Sequence, residues 1–156
     1  MESATEARAV ERELSIAARP ETVWEFLIVP EKAVTWMGQT ITQDARQGGE
    51  YRNEVIPGHV AVGEFVEIDP PRRLVYTWGW EAGEDGPNLV PPGSTTIEIE
   101  LVPEGEGTRL RFVHRDLPNG AAADSHAHGW DHYLGRLAVA ARGGEPGEDP
   151  WISGAM

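Results

Sequence analysis

The chain has 156 residues, of which 40% are hydrophobic, and this length and composition are typical of one globular domain with a single core. Its 26 acidic and 13 basic residues give a formal net charge of −13, which repels nucleic-acid phosphates and anionic membrane surfaces, so we expect no nucleic acid and no membrane as a partner. The sequence has no cysteine, no apolar run of roughly 18 residues and no signal peptide in its opening MESATEAR, and it therefore predicts a cytoplasmic protein without disulfides.

The N-terminal part of the chain predicts one strand and two short helices. Residues 1–8 are mostly small and polar without a clear period, and we expect a flexible tail there. Apolar residues alternate over 10–16, which is typical of a half-buried strand. Pro20 and Pro30 suit the first turns of short helices over 20–27 and 30–36.

Six further strands are predicted from residue 40 onward, over 40–45, 50–55, 59–69, 73–80, 94–102 and 108–115. Most of the connections are short turns with Gly or Pro, which favours an antiparallel meander, because parallel neighbours require long crossovers. The loop 82–93 is longer and irregular, and we expect it to act as a lid.

Residues 121–142 predict one long amphipathic helix. Its apolar face carries His126, Trp130, Tyr133 and Leu137, while His128 and His132 fall on the face predicted to meet solvent. Asn119 or Ser125 could cap its start, and the two glycines after residue 142 can end it. Residues 143–156 are rich in Gly, Pro and acidic residues, so we expect a second flexible tail, in which Trp151 could dock.

This order of elements predicts an α+β fold in which a curved sheet grips one helix. The strongest similarity to a known family is carried by RPETVWEFLIVPEKAVTWMG, GGEY, GEFVEIDPPRRLVYTWGWE, RLRFVHRDLP and GWDHYLGRLA. These segments resemble the START-like helix-grip superfamily, also called SRPBCC, and within it the AHSA-type branch named for homology to the activator of the heat-shock-protein-90 ATPase. The resemblance implies one domain over 9–142, with a curved seven-stranded antiparallel sheet around the long C-terminal helix and two short helices after strand 1.

A strongly bent sheet cannot lie flat along a straight helix, so a cavity opens between them unless large side chains fill it. The inward faces of the predicted strands and helix place ten residues in or near this cavity: Trp36 and Met37 at its mouth, then Tyr51, Trp78, Trp80, Phe112, His114, His126, Trp130 and Tyr133. Inward aromatic residues are more often ordinary core, and that alternative stays open. The resemblance implies that the cavity takes a small, mostly apolar molecule with one or two polar groups.

His114, His126 and Tyr133 are the candidate catalytic residues, since an imidazole near neutrality can move a proton. A hydrogen-bonded core histidine is the commoner explanation of His114. Alternation along 59–69 turns either Glu64 or Glu67 inward, depending on register, although an edge or solvent position is the commoner outcome.

His128 and His132 are four residues apart on one helical face and could bind a divalent ion, but no matching carboxylate accompanies them, and we expect no metal. The sequence contains no Gly-rich phosphate loop, no GxSxG and no HExxH motif, and we expect no cofactor.

Three functions therefore remain open at this stage. The first is a small-ligand-binding domain. The second is a cyclase, dehydratase or hydrolase that uses acid or base residues of the cavity. The third is a co-chaperone-like regulator of an ATPase chaperone, which the absence of the eukaryotic activator's additional N-terminal domain disfavours. The resemblance also implies a homodimer as one option for assembly.

Overall fold

The computed structural model describes residues 8–81 and 90–153. Seven strands, one long helix and three short helices follow one another as β1 (Arg8–Ile16), α1 (Pro20–Ile28), α2 (Pro30–Ala33), β2 (Thr40–Gln43), β3 (Glu50–Ile56), β4 (His59–Asp69), β5 (Arg73–Trp80), β6 (Thr95–Glu104), β7 (Gly107–Leu117), α3 (Gly120–Ala141) and α4 (Pro150–Ser153). The predicted α+β order is confirmed. The predicted lid, 82–93, lies mostly outside the described residues.

The seven strands form one antiparallel sheet in the order β1-β7-β6-β5-β4-β3-β2. From β2 to β7 each strand pairs with the next one in the chain, so the predicted meander is confirmed. β1 closes the other edge by pairing with β7, where Leu14 lies opposite Leu110. The inward side chains of β5, β6 and β7 are buried and form the floor of the core.

The second short helix is shorter than predicted, because the chain leaves α2 through turns at residues 34–37. Gly38 then has a φ of +92°, a conformation that side chains rarely adopt. A Cβ atom at this position would lie 1.9 Å from the Oδ1 atom of buried Asn53. Glycine therefore allows the close approach between this turn and β3.

A bulge in β4 decides the orientation of its carboxylates. Phe65 pairs with Tyr76 and Glu67 pairs with Val75, so Val66 is an additional residue on the outer face. As a result Glu64 and Glu67 both face solvent, and Glu67 binds Arg73 instead. The solvent position, expected as the commoner outcome, is thus confirmed for both carboxylates. The inward position that alternation predicted for one of them was wrong, because strict alternation does not continue through a bulge.

Helix α3 lies across β1 and β7 and contacts α1. The Oδ1 atom of Asn119 accepts a hydrogen bond from the backbone of Ala122 at 2.9 Å, which confirms one of the two predicted caps. The buried face of helix α3 carries Trp130, Tyr133, Leu134, Leu137, Ala140 and Ala141. Arg12 extends from edge strand β1 to Asp131 of α3 at 2.6 Å, and the two form an ion pair.

No helix within the described ranges is both long enough and apolar enough to cross a membrane.

Candidate functional site

A cavity of about 380 Å³ opens between the sheet, helix α3 and the segment after it. It is lined by Met37, Val55, Ile56, His59, Trp78, Trp80, Ser125, His126, His128, Gly129, Trp130, Tyr133 and Trp151. This volume lies within the range of roughly 300–1,000 Å³ that is usual for small-molecule sites. The lining residues that the structure describes include no Asp, Glu, Lys or Arg.

Six of the ten residues predicted near the cavity line it, and the other four lie outside the lining. Trp36 is buried, and its indole nitrogen donates to the carbonyl of Phe26 at 2.8 Å. Tyr51 packs on Tyr76 in the aromatic core of the sheet, with ring centroids 4.8 Å apart. The remaining two, Phe112 and His114, contact Trp130, which does line the cavity.

His114 is fully buried, and both of its ring nitrogens are bonded. Its Nδ1 atom accepts from the indole Nε1 of Trp130 at 3.0 Å, so the ring proton is on Nε2, which donates to the Thr95 hydroxyl at 2.8 Å. The Thr95 hydroxyl in turn donates to the carbonyl of Trp78. Burial, with a smaller contribution from His126, lowers the pKa of His114 to about 3. His114 is a neutral histidine that holds Trp130 directly and the backbone of Trp78 through Thr95.

His126 has the opposite tautomer. Its Nδ1 atom donates to the backbone carbonyl of Ala122 at 2.8 Å, and its Nε2 atom accepts from the indole nitrogen of Trp80 at 3.1 Å. Burial lowers the pKa of His126 as well. The residue lines the cavity, but neither ring nitrogen has a free position for a proton-transfer partner.

The Nε1 of Trp78, a lining residue, is buried without a hydrogen-bond partner among the described residues. The hydroxyl of Tyr133, another lining residue, is buried beside the carboxylate of Asp149. Burial is the main reason why the pKa of Tyr133 is raised, and Asp149 raises it further through its negative charge and as a hydrogen-bond partner. The Tyr133 hydroxyl therefore stays protonated and can act as a donor.

Sequence reasoning missed seven of the lining residues. Val55 and Ile56 are consecutive, and both reach the cavity because β3 has a bulge between Glu54 and Ile56. His128 is exposed, as predicted, and it also lines the cavity beside Trp151, which stacks on it. His132 on the same face is partly covered, and its Nε2 donates to Asp149. The other four lining residues are His59, Ser125 and Gly129, which add nothing to a hydrophobic pattern because they are polar or small, and Trp151, whose docking position the sequence left open.

The family model described as Activator of Hsp90 ATPase homolog 1-like protein matches residues 17–142, well over half of the chain. The chain belongs to the AHSA1-like family. This confirms the AHSA-type resemblance seen in the sequence. No curated protein matches this AHSA1-like chain.

Solved structures share the AHSA1-like fold. An AHSA1-like protein from Rhizobium etli is 40% identical, with a TM-score of 0.74 over 97% of this chain and 93% of its own. CalU16 from Micromonospora echinospora is 25% identical, with a TM-score of 0.69 over 88% of this chain and 78% of its own. An HSP90 activator from Plasmodium falciparum is 19% identical, covers 84% of this chain and 94% of its own, and has a TM-score of 0.68, so it shares the fold alone.

Proposed function

We propose that this AHSA1-like protein binds a small, uncharged, mostly apolar molecule between the sheet and helix α3. The observation that carries the proposal is the cavity of about 380 Å³ with walls of Trp78, Trp80, Trp130 and Tyr133. Aromatic and aliphatic walls favour an apolar occupant, because its burial removes apolar surface from water. The lack of Asp, Glu, Lys and Arg in the described lining favours an uncharged molecule, since an ion would lose its hydration without a counter-charge.

The polar residues of the lining add a chemical preference. His59, Ser125 and His128 lie in the lining beside the aromatic walls. The expected ligand therefore has an apolar body and one or two polar groups. The lack of cysteine in the chain fits a ligand met in the reducing cytoplasm.

The geometry of the candidate catalytic residues favours binding over acid–base catalysis. Both ring nitrogens of His114 and of His126 are occupied, and the raised pKa of Tyr133 makes this residue a donor and not a base. The similarity to the Plasmodium activator concerns the fold alone and gives no support for chaperone activation.

Two glycines of helix α3 provide a matched test. Gly129 lines the cavity, whereas Gly135 is exposed and lies elsewhere, and a Cβ atom at either position would meet nothing within 4 Å. We expect Gly129→Leu to fill part of the cavity and Gly135→Leu to leave it open. Titration with the neutral fluorophore N-phenyl-1-naphthylamine measures the difference. Binding by the wild type and by Gly135→Leu, with at least about tenfold weaker binding by Gly129→Leu, supports the proposal. Equal affinity of the two variants would contradict it.

A further inference from the structure

The chain after helix α3 turns back along that helix. Gly143 has a φ of +94°, and the backbone nitrogen of Gly144 donates to the carbonyl of Val139 at 2.9 Å. The following residues then meet α3 at positions progressively closer to its start, first residue 136, then residue 132 and finally residue 128. We call residues 143–151 the C-terminal strap.

Arg136 fixes the first half of the strap. Its guanidinium donates to the carbonyl of Gly147 at 2.9 Å and to that of Pro146 at 3.3 Å. The same group also donates to the carbonyl of Trp36 at 3.0 Å, beside the cavity residue Met37. One side chain of α3 thus joins the strap to the rim of the cavity.

Asp149 fixes the second half of the strap. This carboxylate is only 5% exposed, and its Oδ1 atom accepts from the Nε2 of His132 at 2.9 Å and from the backbone nitrogen of Trp151 at 3.0 Å. A carboxylate is seldom buried unless it is bonded in this way. Asp149 therefore holds the backbone of Trp151 at a defined position above α3.

Trp151 forms the outer wall of the cavity. Its ring is stacked on His132, with centroids 3.9 Å apart and planes at 18°, and it meets Tyr133 edge-on at 5.5 Å. It also stacks on His128 at 5.3 Å. Trp151, Tyr133 and His128 all line the cavity. The indole is therefore a removable part of the wall, held by stacking and by Asp149 and not by the strands of the sheet.

We infer that the C-terminal strap is the gate of the cavity. Trp151 is the moving wall and a ligand contact, and Asp149 is the positioning residue that holds it against helix α3. Segments held by a few local contacts open at a lower free energy than the core does, so the strap can release without unfolding the sheet. The part of this inference that concerns ligand exchange rests on the proposed function. The part that concerns access to the cavity does not.

Because the chain has no cysteine, one introduced thiol can report access to the cavity. Val55 is buried and lines the cavity, whereas Ile99 is buried in the core and does not line it. The rate at which the neutral reagent dithiodipyridine modifies Val55→Cys measures opening of the cavity. The corresponding rate for Ile99→Cys measures global unfolding. Asp149→Ala is then added to each variant, and Glu148→Ala, at an exposed carboxylate of the same strap, is the matched control.

We expect Asp149→Ala to accelerate modification of Val55→Cys by about tenfold or more, because Oδ1 holds both His132 and Trp151. Trp151→Ala should have at least the same effect, Glu148→Ala should have none, and the rate for Ile99→Cys should stay unchanged. Equal modification rates for Val55→Cys with and without Asp149→Ala would contradict the proposal that the strap is a gate. Equal acceleration of modification at Val55→Cys and at Ile99→Cys would contradict it as well.

The fluorophore N-phenyl-1-naphthylamine separates the two proposals. If the wild type binds it, we expect Asp149→Ala to raise its dissociation rate while Glu148→Ala does not, and an unchanged rate would contradict the gate alone. If no variant binds the fluorophore or other neutral aromatic probes, the proposed function fails. The modification rates of Val55→Cys and Ile99→Cys still test whether the strap is a gate.

Discussion

The indole nitrogen of Trp130 donates to the Nδ1 of His114 at 3.0 Å, and this bond joins helix α3 to strand β7 inside the core. An indole nitrogen can only donate, so the bond requires His114 to have a free lone pair on Nδ1. The second ring nitrogen is bonded to Thr95. Protonation of His114 would break the bond to Trp130 and place a charge in the core, and this gives the structure a defined sensitivity to acid.

The first prediction concerns this sensitivity. The pKa of His114 is about 3 in the folded protein and ordinarily near 6.5, so the unfolded chain binds a proton that the folded one excludes. The resulting stability is fully present above pH 6.5 and is lost as the pH falls towards 3. At about 1.4 kcal/mol per pKa unit, we expect a loss on the order of 3 kcal/mol between pH 6.5 and pH 4.

Urea unfolding of the wild type and of His114→Gln at both pH values measures this loss. Carboxylates also titrate in this range. The two proteins are therefore compared by how steeply the free energy of unfolding of each changes with pH. The wild type should lose more of its free energy of unfolding than the variant does. Parallel pH profiles would show that His114 is not the responsible group.

The second prediction concerns the glycines of helix α3. A glycine inside a helix costs roughly 0.5–1 kcal/mol relative to alanine, and a Cβ atom at Gly129 or Gly135 would meet no other atom within 4 Å. We therefore expect Gly129→Ala and Gly135→Ala each to raise the free energy of unfolding by about this amount. Thermal and urea unfolding test the increase. Destabilisation by Gly129→Ala would mean that the space beside this residue is not open.

The third prediction concerns the ion pair of Arg12 and Asp131. It joins β1 to α3 at 2.6 Å, but the two side chains are 37% and 59% exposed, and solvent screens their attraction. We expect a coupling free energy of no more than about 1 kcal/mol, and less in high salt. A double-mutant cycle with Arg12→Ala and Asp131→Ala measures it. A salt-independent coupling of several kcal/mol would be inconsistent with an exposed pair.

Sequence periodicity was sufficient for the elements and most of the core. Alternation along β5 and β7 predicted the inward residues Trp78 and Phe112 correctly, because those strands are regular. Prediction failed where the backbone departs from its period, as at the bulges before Ile56 and at Val66. It also could not find the contact of Asp149 with His132, because a segment without periodicity makes that contact through tertiary structure.

The sequence did not predict the hydrogen bonds of the histidines either. The sequence placed His114 and His126 on inward faces, and both are there. It could not show that Trp130 and Trp80 saturate them, because the partners come from other elements. This saturation is what shifts the interpretation from catalysis to binding.

The most direct test of the binding proposal follows the indole N–H resonances of the six tryptophans during titration with N-phenyl-1-naphthylamine. Trp78 lines the cavity with an unpartnered indole nitrogen, whereas Trp36 lies outside the lining and donates to Phe26. We expect saturable shifts at Trp78, Trp80 and Trp130, with Trp36 unchanged as an internal control. Shifts confined to residues outside the cavity, or no saturable shift at Trp78, would contradict a ligand site between the sheet and helix α3.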